Sequence, residues 1–212
     1  MIDILFPTSG KNIKGFYYQL AAALNQSYRD FDLHIIFDEG NQDCVGIEKE
    51  LKILYPTAAG GRLKIHYCPA EYKEKYGGIS GNHAMKWILE DDTILKGDWW
   101  YGVADDDVIF PWTLENLIRG SQNVSLVIAR LLAVKRNKKS YYSFLGDDIR
   151  CGLISGGCCL FNIKDMRKLE KPYIKHDIYE TDFYLIDKMI TKFAYRSIED
   201  IVGILLFERN IT

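Results

Sequence analysis

The chain has 212 residues, 48% of them apolar and 26% charged, which suits one soluble globular domain, or one large α/β domain with a small appended lobe, whose core needs neither disulfides nor a structural metal. The net charge of -2 excludes the basic surface that nucleic-acid binding demands. No run approaches the roughly 20 apolar residues of a membrane span, so none is expected.

Ile2–Phe6 reads as a buried strand, interrupted by Asp3 and too short to be the core of a secretion signal. Pro7-Thr8-Ser9-Gly10 breaks it, and Phe16–Leu24 follows as an Ala-rich helix. Leu33–Phe37 is a second strand, stopped by Asp38-Glu39-Gly40-Asn41. The spacing of Ile47, Leu51 and Leu54 predicts a helix, and Leu63–Tyr67 a third strand. Ser80 can cap a helix over Asn82–Leu89. Trp99–Ala104 is a fourth strand, and Pro111 opens a helix through Ile118. Alternation of this kind predicts a parallel sheet with helices on both faces, binding ligands beyond the carboxyl ends of its strands. Thr8-Ser9, Asp38-Glu39 and Asp105–Asp107 all fall at that edge.

The second half is less regular. Val124–Val134 reads as a long strand, Lys135–Lys139 as a solvated basic loop, and Tyr141–Phe144 as its continuation. Gly152–Gly157 is glycine-rich and precedes a short strand over Cys158–Phe161. Asn162 can cap a helix through Leu169; Glu180–Ile190 is another amphipathic helix, and Ile198–Phe207 fits a helix or a strand, of which the helix is the expectation. Five cysteines, with no CxxC pair, argue against a zinc ribbon and for reduced, mostly buried thiols of a cytoplasmic protein.

The chemistry concentrates in Val103-Ala104-Asp105-Asp106-Asp107-Val108-Ile109-Phe110-Pro111. Three adjacent carboxylates at the end of a buried strand repel one another unless a cation joins them. Oxygen-only ligands suit Mn²⁺ or Mg²⁺ bridging to a diphosphate. The plain alternative is a solvated acidic turn before the Pro111 helix, against which the aromatic-rich flanks argue.

This strand–acid run–Pro111 arrangement resembles the DxD region of GT-A glycosyltransferases, especially the family-2-like group, and is similar to small transferases of large algal viruses. The order of Ile4–Thr8, His34–Gly40 and Gly77–Ala84 around it extends the resemblance over most of the chain. The resemblance implies a GT-A fold, a central, mostly parallel mixed sheet flanked by helices. It implies one domain over 1–212, with a nucleotide-binding half (1–110) and an acceptor-binding half (111–212). Pro7, Thr8 and Ser9 would line the nucleoside pocket, Asp38 would accept from the uracil imide, and Gly78 and Asn82 would approach the ligand. Strict DxD spacing selects Asp105 and Asp107 for the metal. Counting back from Pro111 selects Asp106, with Asp105 reaching the ribose.

The family places an acid pair where Tyr179-Glu180-Thr181-Asp182-Phe183 stands. Asp182 would be the general base; Thr181 departs from the pattern, and Glu180 would substitute for the missing acid. Acids in a first helical turn have a plainer use, against the macrodipole. His176 matches the late histidine that such enzymes recruit to the metal. Ser155-Gly156-Gly157 matches a glycine-rich acceptor loop. His83, Lys86 and Arg62 are candidate phosphate contacts. Trp112 is the best sugar platform among tryptophans otherwise expected in the core.

The implied activity is metal-dependent transfer of a sugar from a UDP-sugar to an acceptor hydroxyl of a glycan or glycoprotein, within a polypeptide that can carry further domains. Rival readings are a sugar-1-phosphate nucleotidyltransferase, for which Thr8–Asn12 offers only one Gly and one Lys, an aspartate-nucleophile phosphatase, and a carbohydrate-binding scaffold.

Overall fold

A computed structural model describes residues 1–37, 42–56, 61–72, 81–105, 107–135, 142–150, 153–170 and 181–207. Among these, nine strands form one sheet ordered β3-β2-β1-β4-β8-β6-β9-β5, with β7 on β6. The strands are β1 (Ile2–Thr8), β2 (Phe31–Phe37), β3 (Leu63–Tyr67), β4 (Trp99–Gly102), β5 (Asp107–Ile109), β6 (Leu126–Lys135), β7 (Tyr142–Leu145), β8 (Cys159–Asn162) and β9 (Tyr195–Phe207). β1–β4 run parallel, and β8 reverses against both β4 and β6. β6 and β9 therefore share the direction of β4, while β5 runs back antiparallel to β9.

Side-chain alternation in the strands builds two cores, one on each face. Ile2, Ile4 and Phe6 of β1 meet Phe16 and Leu20 of α1 (Ile13–Leu24), Ile47 and Leu51 of α2 (Gln42–Leu54), and Leu114 and Leu117 of a helix at Thr113–Gly120. On the other face Leu5, Ile36 and Trp100 meet Met85 and Ile88 of α3 (Asn82–Glu90) and Leu185 and Met189 of a helix at Thr181–Lys192. In chain order the Thr113–Gly120 helix is α4, the single turn Ile163–Met166 is α5, and Thr181–Lys192 is α6. Trp100 stacks on Phe161 with centroids 4.3 Å apart, which ties β4 to β8.

Three expectations are corrected. Ile198–Phe207 lies within β9, not a helix, because nine registered pairs along β6 reward the extended form. Val202 is fully buried and Ile198 packs against the same core, while Glu199 between them is exposed. The helix placed at Pro111 starts at Thr113; Pro111 and Trp112 form a turn closed by Thr113 N donating to Phe110 O at 3.1 Å. The fourth strand, expected over Trp99–Ala104, ends at Gly102, and Asp107 already belongs to β5. The other elements fall within a few residues of their expected bounds. Asn162 does cap α5, accepting from Asp165 N at 3.0 Å, but the helix stops at Met166 rather than Leu169. Ser80, the expected cap of α3, lies outside the described residues; Gly81 precedes that helix instead.

Candidate functional site at the carboxyl edge of the sheet

The first wall of the site is the turn from β1 into α1. Thr8 ends β1 with its side chain buried, and its Oγ1 accepts from Gly10 N at 3.1 Å and donates to Asp105 Oδ2 at 3.3 Å. Gly10 has φ of 74°, a left-handed conformation that favours glycine. Asn12 then caps α1, its Oδ1 accepting from Gly15 N at 3.2 Å, while its Nδ2 donates to Asp105 O at 2.7 Å. Pro7 and Ser9 are half-buried beside these groups. Gly81, with φ of 78°, brings the start of α3 onto Pro7; a Cβ there would lie 3.2 Å from Pro7 Cβ.

The second wall comes from the other half of the chain. Asp107 is 6% exposed, and the 3₁₀ turn Gly156–Cys158 lies against it. A Cβ on Gly157 would sit 3.3 Å from Asp107 Oδ2. Ser155 caps this turn, its Oγ accepting from Gly157 N at 3.2 Å. Tyr101 Oη, fully buried in β4, donates to Gly157 O at 2.7 Å. On the far side Gly156 N donates to Asp182 Oδ2 at 2.9 Å. Two carboxylates from distant parts of the chain thus meet adjacent glycines of one turn.

Electrostatics follow from burial. Burial pushes the Cys158 thiol up to about 12, with Asp107 and Asp182 adding in the same direction. That thiol stays protonated and is no nucleophile. Burial, reinforced by Asp107, also raises the Tyr101 hydroxyl well above its usual range, so it remains a donor to Gly157.

Of the site residues expected from sequence, Pro7, Thr8, Ser9, Asp105, Asp107 and Asp182 are brought to this edge. Asn82 opens α3 at the same edge by its backbone. Asp38, Gly78, Asp106, His176 and Glu180 lie outside the described residues. Hard oxygen donors at Asp105 and Asp107 suit Mg²⁺ or Mn²⁺. Among the described residues, Asp3, Asp32 and His34 are the group whose ligand atoms lie within 4.8 Å of one another. They sit low on β1 and β2, where Asp3 already accepts from Gly97 N at 2.8 Å and pairs with His34 Nε2 at 3.1 Å, so they belong to the core rather than to this edge.

Two candidates are displaced by topology. Arg62 precedes β3 at the opposite, amino-terminal edge and lies over the Phe31 ring at 5.4 Å. It lines a cavity of about 790 Å³ with Leu24, Tyr55 and Pro56, remote from the carboxylates. Trp112 follows Asp107 closely in sequence, but the chain descends alongside α1 between them. Asp105 O meets Asn12, Ile109 N donates to Gln19 Oε1 at 3.3 Å, and Ser27 N donates to Pro111 O at 2.6 Å. Half-exposed Trp112 therefore lies near the C-terminal end of α1, a helix about 18 Å long at 1.5 Å per residue. His83 and Lys86 are buried on the first turns of α3, and Lys86 pairs with Glu90 at 3.5 Å.

Sequence reasoning missed Asn12, Gly15 and Tyr101. An Asn just before a helix is a capping signal; nothing local shows that its other amide end meets Asp105.

No protein-family model matches the sequence, and no curated protein matches it. Solved structures do. Residues 1–349 of S. aureus TarS give a TM-score of 0.71 at 11% identity, over 97% of this chain and 60% of that one. The same TarS segment in complex with UDP-GlcNAc gives 0.67 at 11% identity, over 99% and 59%. The mannosyltransferase PcManGT from Pyrobaculum calidifontis, in complex with GDP-Man and Mn²⁺, gives 0.69 at 14% identity, over 99% and 58%. The chain spans about 60% of the length of the TarS segment. At such identity the likeness is one of fold, and the chain has the GT-A fold, a mostly parallel mixed sheet flanked by helices.

Proposed function

We propose that the chain is a metal-dependent glycosyltransferase that moves a sugar from a UDP-sugar to an acceptor hydroxyl of a glycan or glycoprotein. The observation that carries this reading is the convergence of Asp107 and Asp182 on Gly157 and Gly156, at the edge where Thr8 and Asp105 also meet. Neighbours of this fold bind UDP-GlcNAc, or GDP-Man with Mn²⁺.

In this reading Pro7, Thr8 and Ser9 line the nucleoside pocket, with Asp38 accepting from the uracil imide and Gly78 and Asn82 near the diphosphate. The backbone N–H groups at the start of α3 would, in this reading, meet that phosphate charge. Asp106 and Asp107 hold the metal, His176 joins them, and Asp105 is shared with the ribose side. A bound Mn²⁺ or Mg²⁺ supplies charge neutralisation on the departing diphosphate.

Asp182 takes the proton of the acceptor hydroxyl, with Glu180 in support. The acceptor oxygen bonds to the anomeric carbon as the bond to the diphosphate oxygen breaks, and UDP leaves with the electron pair. Gly156 N donates to Asp182 Oδ2 and so fixes the orientation of the carboxylate that acts as base. The reading places the chain in the cytoplasm, in keeping with buried Cys44, Cys68, Cys158 and Cys159.

The test is a panel of UDP-sugars, with GDP-mannose alongside, assayed for Mn²⁺-dependent hydrolysis, and UDP calorimetry with and without Mn²⁺. Wild-type protein should bind UDP more tightly with the metal, and Asp106→Ala and Asp107→Asn should lose that increment while keeping the fold by circular dichroism. Equal UDP affinity with and without Mn²⁺ would favour the scaffold reading. Binding of a nucleoside triphosphate with a sugar 1-phosphate would favour the nucleotidyltransferase.

A further inference from the structure

We propose, resting on the donor site above, that Asn12 is a positioning residue that fixes the acid run against the nucleoside loop. Its amide works at both ends: Oδ1 accepts from Gly15 N at 3.2 Å, and Nδ2 donates to Asp105 O at 2.7 Å. Capping α1 requires only the first of these bonds. The second is surplus to the helix and is aimed at the peptide joining Asp105 to Asp106.

That peptide lies inside the turn closed by Asp107 N donating to Ala104 O at 3.2 Å. Its orientation sets the direction in which the chain enters β5, and hence where Asp107 points. Gly15 makes the approach feasible, since a Cβ there would lie 2.0 Å from Asp105 O. Thr8 Oγ1 holds the Asp105 carboxylate at 3.3 Å. Carbonyl and carboxylate of one residue are both held by the segment between β1 and α1, so the wall that faces the nucleoside and the acids that face the diphosphate move as one unit. Asn12 itself is exposed at this edge, so its exchange leaves the core intact.

Two variants separate positioning from capping. In Asn12→Ser the hydroxyl still caps α1 but is too short to reach Asp105 O; Asn12→Ala loses both bonds. Mn²⁺ affinity is read by calorimetry or electron paramagnetic resonance in the presence of UDP, beside the melting temperature. Both variants should lose about tenfold in Mn²⁺ affinity, the scale of one hydrogen bond. Only Asn12→Ala should melt several degrees lower. UDP binding without metal should change little in either. A Ser variant that binds Mn²⁺ and UDP like wild type overturns the positioning role while leaving the donor site standing. Wild-type protein without Mn²⁺-dependent UDP binding overturns the donor site and this inference together.

Discussion

Gly156 donates its backbone N–H to Asp182 Oδ2 at 2.9 Å, and a Cβ at Gly156 would lie at that same 2.9 Å from the oxygen. Backbone and carboxylate meet so closely that only glycine leaves the acid in place. Gly156→Ala should displace the carboxylate and lower turnover about tenfold or more, with donor KM changed less than about threefold, because the nucleoside loop of the proposed donor site lies on the other wall. Asp182→Asn, which keeps the shape but not the base, should cost about 10²–10⁴ in turnover. Steady-state rates with a sugar donor identified from the panel measure both. A fully active Asp182→Asn would remove the base from the mechanism.

Two helical glycines should respond to alanine with opposite signs. Gly46 in α2 has open space around its Cβ position, so Gly46→Ala should stabilise by about 0.5–1 kcal/mol through helix propensity and reduced chain entropy. Gly15 in α1 gains the same propensity, but its Cβ would lie 2.0 Å from Asp105 O. Relieving that overlap moves backbone and costs about 1–3 kcal/mol, which outweighs the gain. Urea unfolding of the two variants measures the difference; a stabilised Gly15→Ala would show that the helix and the acid turn are not in contact.

The core beneath the site should give the protein an acid-sensitive stability. His34 bridges three strands, with Nε2 3.1 Å from Asp3 Oδ1 and Nδ1 3.0 Å from His66 Nε2. Burial, then the neighbouring His34, lowers the His66 pKa from 6.5 to about 4, with Lys64 acting the same way and Asp91 opposing. The folded state resists a proton that the unfolded chain accepts, so stability is full above about pH 6.5, falls as pH drops, and levels off near pH 4. The loss should be about 2 kcal/mol, discounted for the imidazole's partial contact with water. Denaturant melts from pH 8 to 4 should show this slope, and His66→Phe should flatten it.

Trp112→Ala and Arg62→Ala should leave UDP affinity unchanged within about twofold, since both residues stand at the amino-terminal edge of the sheet. Calorimetry of either variant checks this. A tenfold loss in Trp112→Ala would mean that the donor reaches well beyond the carboxyl edge.

Much of the architecture was legible because strands and helices in the first half carry their own periodicity. Leu63–Tyr67 has the expected bounds, and α1 and α3 lie close to theirs, since apolar spacing and local breakers mark them. The second half was less legible. Ile198–Phe207 is an apolar run whose state depends on β6, some 70 residues away in sequence, and the apolar run alone does not distinguish helix from strand. Thr8, Asp105, Asp107 and Asp182 could be singled out as chemically unusual residues. The amide clamp of Asn12 and the hydroxyl of Tyr101 could not, because their partners are Asp105 O and Gly157 O, and every residue type carries a carbonyl.

By itself the sequence determined the alternation of elements, the edge at which the polar clusters fall, and the repulsion among neighbouring acids, all properties of segments only a few residues long. The tertiary structure decided which distant residues meet at that edge. The reversal at β5 carries Trp112 away from Asp107, and the Gly156–Cys158 turn draws Asp182 toward it. Strand direction and close backbone packing arise only when distant parts of the chain pair, so no local pattern encodes them.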